Sequence, residues 1–375
     1  MFKAKLDSIR YLGTLPDLFL MENGERVKTK ADWNKRREEI YRLAVDFQYG
    51  CLPPEPEFLE IDTLFTSATL STYKIITGKR EKPISFSMQI VFPKEKKEKY
   101  PIVIDGDGCF RYMYTDAFMK PFQDGGIAFV RFNRTELAYD VRKEHTEGLY
   151  SVYPGMNFTS LAAWAWGYHR CLDAVLKLGI ADEKLIAYTG HSRGAKTALL
   201  AGATDERATI VNPNAACSGA GACYRVHTET LCEDGVVRPS STLEKMALFP
   251  DWFTEELLSY AGREDELPMD CHFIKALVAP RCLIITEAVS DAWSNPAGVH
   301  ITQRAAMEAY KFLHAEDKLL LHYRDGFHSH DAQDTKILAN VIGYMAGKEA
   351  LDENIGVSPY EDLEKCYDWK CPEEE

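Results

Sequence analysis

The sequence lacks long apolar runs, basic tracts and paired-cysteine motifs, and each absence removes a class of function. No stretch of its 375 residues approaches the ~20 apolar side chains of a bilayer span. Acidic residues outnumber basic ones, 57 to 44, for a formal net charge of −13. Without a run of Lys or Arg there is no electrostatic footprint for nucleic acid or an anionic membrane surface, and neither is expected as a partner. None of the ten cysteines forms a CxxC pair, and several sit inside apolar runs, as Cys282 does in Ala279-Pro-Arg-Cys-Leu-Ile-Ile. Buried reduced thiols are therefore expected in place of a disulfide framework. No internal repeat or low-complexity segment is visible. The N-terminus, Met1-Phe-Lys-Ala-Lys-Leu-Asp, carries charges where a secretory signal needs an apolar core. A cytoplasmic location is expected for the chain as it stands, and a secreted one had a signal been trimmed.

What is present fits a folded globular protein, with 46% hydrophobic and 27% charged residues. Residues 32–49 have apolar side chains at helical spacing behind Asp32, which the pattern makes an N-cap, and Leu52-Pro-Pro-Glu-Pro stops that helix. Residues 1–57 thus read as a helical lead-in. Alternating segments over 58–95 predict antiparallel strands. Short, wholly apolar runs follow at 100–105, 127–132, 185–189, 208–211, 282–286 and 318–323. Helical stretches at 158–178, 194–202, 297–314 and 331–347 separate most of them. Such alternation is the mark of a mostly parallel sheet with helices on both faces, so the predicted class is α/β, in a single domain spanning 1–375. The connection over about 214–280 is too long for a simple crossover and reads as a lid or substrate-binding excursion. The acidic tail, 350–375, is expected to be exposed.

After the run 185–189 comes Gly190-His-Ser192-Arg193-Gly194-Ala-Lys196. This is G-x-S-x-G between a strand and a helix, the setting of a nucleophile elbow. Two glycines permit the sharp turn, and the head of the following helix favours developing negative charge at Ser192. A serine nucleophile needs a base, and the base needs an acid to orient it. Beyond the run 318–323, Arg324-Asp-Gly-Phe-His328-Ser-His330 places His328 where such a base is expected. The same His328-x-His330 pair could instead begin a metal site, although no further Cys, Asp, Glu or His set completes a zinc-like pattern. For the acid, Asn212-Pro-Asn-Ala-Ala carries no carboxylate, whereas Thr286-Glu287-Ala-Val-Ser-Asp291 offers two. Asp291 lies far enough past the strand to reach back over the sheet edge, and Glu287 reads as part of the strand. A turn or capping role for Asp291 near Pro296 is the plainer alternative.

These residues resemble the glucuronoyl esterases of carbohydrate esterase family 15, α/β-hydrolases, and their bacterial branch more than the fungal one. The likeness runs from about Trp33 to Gly347. It rests on Leu161-Ala-Ala-Trp-Ala-Trp-Gly, Gly190-His-Ser-Arg-Gly-Ala-Lys-Thr-Ala-Leu, Phe249-Pro-Asp-Trp-Phe and Ala279-Pro-Arg. The resemblance implies Ser192 as nucleophile and Arg193 as an oxyanion-holding guanidinium. It also implies Lys196, Glu229 and Trp293 as residues that contact the sugar. One departure is clear: Ala215 stands where many members carry the catalytic glutamate, which leaves Asp291 as the acid candidate.

The expected activity is serine-dependent hydrolysis of an ester of 4-O-methyl-glucuronate in xylan-derived saccharides, without cofactor or metal. The Asp105-Gly-Asp-Gly-Cys loop is expected to supply an oxyanion N–H. The alternatives are a carbohydrate deacetylase with the same triad and a catalytically silent carbohydrate-binding relative. Oligomeric state is left open by the sequence.

Overall fold

A computed structural model describes residues 1–140 and 145–373. Two compact units emerge, each assembled from separated stretches of chain. The first comprises Met1–Gly50, Ala215–Ser329 and Glu353–Glu375, and the second Cys51–Asn214 and His330–Asp352.

The second unit carries seven strands: β2 (Phe58–Thr66), β3 (Leu70–Lys79), β4 (Lys82–Val91), β5 (Tyr100–Asp105), β6 (Ala128–Phe132), β7 (Ala181–His191) and β8 (Ile210–Asn214). Their spatial order is β8-β7-β5-β6-β4-β3-β2. The antiparallel meander β2-β3-β4 is joined to the parallel strands where Met88 of β4 faces Phe132 of β6. In β4 buried and exposed residues alternate, as a sheet with one solvated face requires. β5 is buried along its whole length, with Ile102, Val103 and Ile104 fully enclosed. Each such side chain contributes about 1.5–3 kcal/mol of apolar burial. Helices Asp116–Asp124, Ser160–Lys177 and Arg193–Thr204 make the crossovers between successive parallel strands. Helix Ser160–Lys177 packs beside Arg193–Thr204, while Ala332–Met345 packs beside Asp116–Asp124.

The first unit contains the parallel pair β11 (Cys282–Ala288) and β12 (Leu319–Arg324), in register from Leu283↔Leu319 to Ala288↔Arg324. Helix Pro296–Phe312 connects them and packs against helix His272–Val278. A separate antiparallel sheet pairs β9 (Val226–Leu231) with β1 (Lys5–Tyr11) on one side and β10 (Val237–Pro239) on the other. The lead-in is thus not wholly helical: residues 5–11 find a strand partner more than two hundred positions away.

Two further expectations are corrected. The first helix, Lys30–Tyr41, starts before Asp32. Thr29 is its N-cap, and Asp32 completes a reciprocal capping box from the third helical position. The tail is exposed only in part. Tyr360, Cys366, Tyr367 and Trp369 are buried, and the Trp369 indole N–H donates to the Leu15 carbonyl at 2.9 Å. The final Glu374 and Glu375 lie outside the described residues. None of the described helices is long and apolar enough to cross a membrane.

Candidate active site

In the second unit β7 runs directly into helix Arg193–Thr204, with Ser192 at the N-cap and at φ 57°, ψ −112°. A non-glycine residue in such a conformation stores about 1–3 kcal/mol, so its surroundings must hold it there. They do so on both sides. The Ser192 N–H donates to the Asn214 carbonyl at 2.9 Å, and its own carbonyl accepts from the Lys196 N–H at 3.1 Å. Both motif glycines are obligatory: a Cβ at Gly190 would lie 2.5 Å from the Gly194 carbonyl oxygen, and one at Gly194 would lie 2.3 Å from the Asp107 carboxylate.

Behind the elbow, Asp107 is fully buried. Its carboxylate accepts the His191 N–H at 2.7 Å and forms an ion pair with the buried Arg134. Asp105 in turn accepts the Asp107 N–H at 2.7 Å. Burial lifts the Asp105 carboxyl to about 7, against the pull of Arg134. The N–H groups of Gly106, Asp107, Gly108 and Phe110 are engaged by the Tyr168 hydroxyl, Asp105, Phe132 and Asp107 respectively. The loop braces the elbow through a carboxylate, a function the sequence reading missed. The signal for it is two Asp-Gly pairs directly after a wholly apolar strand.

Arg193 opens the elbow helix with a side chain 34% exposed, paired to Asp140, its guanidinium carbon 5.9 Å from the Phe110 ring centroid. Lys196, one turn on, is 2% exposed and so lies within the packing of the helix.

The first unit supplies a histidine and its acid. His328, in the turn after β12, directs Nδ1 at Asp291 Oδ2 over 2.6 Å. A carboxylate can only accept, so Nδ1 carries the hydrogen, which leaves Nε2 as the nitrogen placed to act as a base. Asp291 is held by the Ser294 N–H, 3.2 Å from Oδ1. Glu287 is indeed part of β11 and fully buried, with Oε2 2.6 Å from the Ser294 hydroxyl. Burial and the neighbouring Asp291 push its carboxyl up to about 8, while Ser294 and Lys275 pull the other way. The histidine's partner is therefore Asp291. Ala215, where the family's glutamate was sought, is buried at φ 53° and offers only a methyl group.

His330 is buried in the second unit, edge-on to Phe118 at 5.0 Å between ring centroids. Among the described residues no group of three or more His, Cys, Asp or Glu side chains is arranged to hold a metal.

Glu229 lies on β9 with its side chain exposed, accepting the Ser8 hydroxyl at 3.0 Å. Trp293 is half-buried in the turn Ala292–Ser294, with the Lys245 ammonium 5.6 Å from its ring centroid. Lys245 and Ser294 escaped the sequence reading because nothing local marks them.

A family model described as glucuronyl esterase, fungi, matches residues 75–314. The chain belongs to the glucuronyl esterase family. This family member is 30% identical over 312 residues to 4-O-methyl-glucuronoyl methylesterase 1 of Wolfiporia cocos, covering 81% of this chain and 73% of that one. It is 29% identical over 350 residues to 4-O-methyl-glucuronoyl methylesterase of Hypocrea jecorina, covering 91% and 72%. A carbohydrate esterase family 15 glucuronoyl esterase from Caldicellulosiruptor kristjansonii superposes with a TM-score of 0.80 at 27% identity, over 95% of this chain and 98% of that one. The resemblance read from the elbow and its flanking motifs is thereby borne out, and with it the α/β-hydrolase fold.

Proposed function

We propose that this glucuronyl esterase family member is a serine carboxylic-ester hydrolase that cleaves esters of a glucuronic acid carboxyl through an acyl-enzyme. The observation that carries the chemistry is Ser192, held at positive φ at the head of a helix between two glycines that tolerate no side chain. In this reading Ser192 Oγ attacks the ester carbonyl and its proton passes to Nε2 of His328. Asp291 keeps the imidazole in the competent tautomer and stabilises the imidazolium that forms. The helix-head N–H groups and Arg193 hold the oxyanion. The alcohol leaves with the proton, and water, activated by the same imidazole, releases the uronate and regenerates Ser192. Lys196, Glu229 and Trp293 are assigned to the sugar.

The substrate assignment is supported by the relatives named as 4-O-methyl-glucuronoyl methylesterases. That the saccharide derives from xylan, and that hydrolysis takes place in the cytoplasm, belong to the same proposal. The ten cysteines, all thiols and seven of them buried, support a reducing compartment.

The test is a side-by-side assay on benzyl glucuronate, acetylated xylo-oligosaccharide and 4-nitrophenyl acetate, with Ser192→Ala as control. Hydrolysis of the glucuronate ester ahead of the acetyl ester, abolished in a folded Ser192→Ala, is the expected result. Faster release of acetate would identify a deacetylase, and inertness on all three would identify a silent relative.

A further inference from the structure

The Asp291–His328 pair hangs on a turn that is itself fastened from below. Ser294 serves two acidic side chains at once: its N–H is 3.2 Å from Asp291 Oδ1 and its hydroxyl 2.6 Å from Glu287 Oε2. Ser294 and Glu287 are both fully buried, so water does not substitute for either contact. The next residue, Asn295, is pinned at φ 57° by three further bonds. Its amide donates to the Val226 carbonyl at 2.7 Å, and its oxygen accepts from Thr228 at 2.9 Å and from the Gly298 N–H at 3.0 Å. The turn thus has one fixed point after Ser294 and one beneath it, and the latter is Glu287.

We infer that Glu287 is a positioning residue for the reaction. Through the Ser294 hydroxyl it fixes the turn whose amide aims Asp291 at His328. The inference rests on the roles proposed above for Asp291 and His328. A carboxyl in this place does more than fill space, because its charge state matters to a neighbour already holding an imidazole. The groups facing it are Asp291 in its own turn, Lys275 from helix His272–Val278, the Ala216 N–H, Tyr323 beside it on β12 and Tyr360 from the tail. With its carboxyl pushed up to about 8, Glu287 stays protonated at neutral pH. Deprotonation above that pH adds a second negative charge within the network and raises the basicity of His328.

The experiment compares wild type, Glu287→Gln, Glu287→Leu and Ser294→Ala by steady-state kinetics on 4-nitrophenyl acetate and by NMR titration of the His328 ring protons. Glu287→Gln keeps an acceptor for the Ser294 hydroxyl and should hold kcat within about three-fold. Glu287→Leu and Ser294→Ala should each lower kcat about ten-fold with KM unchanged. The His328 ring-proton shifts should show a second inflection near pH 8 in wild type that is lost in Glu287→Gln. Full kcat in both Glu287→Leu and Ser294→Ala would overturn the inference, as would an unchanged second inflection in Glu287→Gln. Should Glu287→Leu fail to fold, Ser294→Ala decides the kinetic arm. A wild type inert on every ester would refute the esterase reading, and the NMR arm would then decide on Glu287 by itself.

Discussion

Replacing Gly194 with Ala adds a single methyl group, and the structure says where it must go. The new Cβ would stand 2.3 and 2.4 Å from the two Asp107 carboxylate oxygens and 2.7 Å from Cγ. Ordinary contacts to carbon begin near ~3.5 Å, so one partner must retreat by about 1 Å. Asp107 resists: it is fully buried, accepts the His191 N–H at 2.7 Å and is paired with the buried Arg134. If the carboxylate moves, a charge-assisted hydrogen bond worth about 1.5–3 kcal/mol is weakened. If the helix moves, the overpacking costs about 1–3 kcal/mol. The better helix propensity of Ala returns about 1 kcal/mol, which leaves a net loss of up to about 2 kcal/mol and a fall in Tm of up to a few degrees. Activity should suffer more, because Ser192 rides on the same turn and a displacement of about 1 Å costs on the order of a hundred-fold in rate. Differential scanning calorimetry and turnover of an aryl ester read the two effects separately. A variant with unaltered Tm and more than half the wild-type kcat would show that Asp107 is not a rigid wedge against the elbow.

Asp291→Asn presents the wrong hydrogen-bonding group to His328 Nδ1 and should lower kcat by about 10⁴-fold, as in a comparable triad, against a few-fold for Glu287→Gln. His328→Ala should be nearly inert and His330→Ala milder; the reverse order would remove His328 from the role of base. Lys196→Met should lower kcat/KM ten- to a hundred-fold on benzyl glucuronate and only a few-fold on 4-nitrophenyl acetate; equal losses would make this buried lysine a support of the elbow helix. Burial lowers the imidazoles of His272 and His300 to about 4. Between pH ~6.5 and about 4 the unfolded chain therefore binds protons that the folded rings refuse, and stability falls as the pH drops through that window. Urea midpoints at pH 7, 6 and 5 should decline in wild type and less steeply in His272→Gln; parallel declines would assign the acid sensitivity to other groups.

What could be read from the sequence followed from signals confined to a few neighbouring residues. The wholly apolar runs at 100–105 and 282–286 are parallel strands, and the elbow motif lies between a strand and a helix as its glycines require. Asp291 was legible because chain order and distance past the strand end are both linear properties. What was missed depends on partners distant along the chain. Asp107 braces His191 from 84 positions away, and residues 5–11 become a strand only because β9 lies alongside. Trp369 buries itself against Leu15 from 354 positions away, although acidic neighbours give the tail the look of a solvated segment. Thr29 lost the N-cap to Asp32 in the sequence reading because both residue types cap helices, and a capping box uses both.

Charge state, finally, separates acids that the sequence writes alike. Asp105, Asp107, Glu287 and Asp291 are all enclosed, yet each meets different neighbours. Asp107 is met by a guanidinium and a backbone N–H, and it acts as a fixed brace. Asp105 and Glu287 meet mainly burial, which lifts their carboxyls to about 7 and about 8. Asp291 alone meets an imidazole. Glu287 precedes it by four residues and has the longer side chain, but it stands within β11, where every residue is enclosed. Asp291 lies beyond the strand end, on a turn free to bend toward the chain leaving β12, and that chain carries His328. Ala215, after β8, offers no carboxylate, and the Asp291–His328 hydrogen bond rests on the turn that Ser294 ties down.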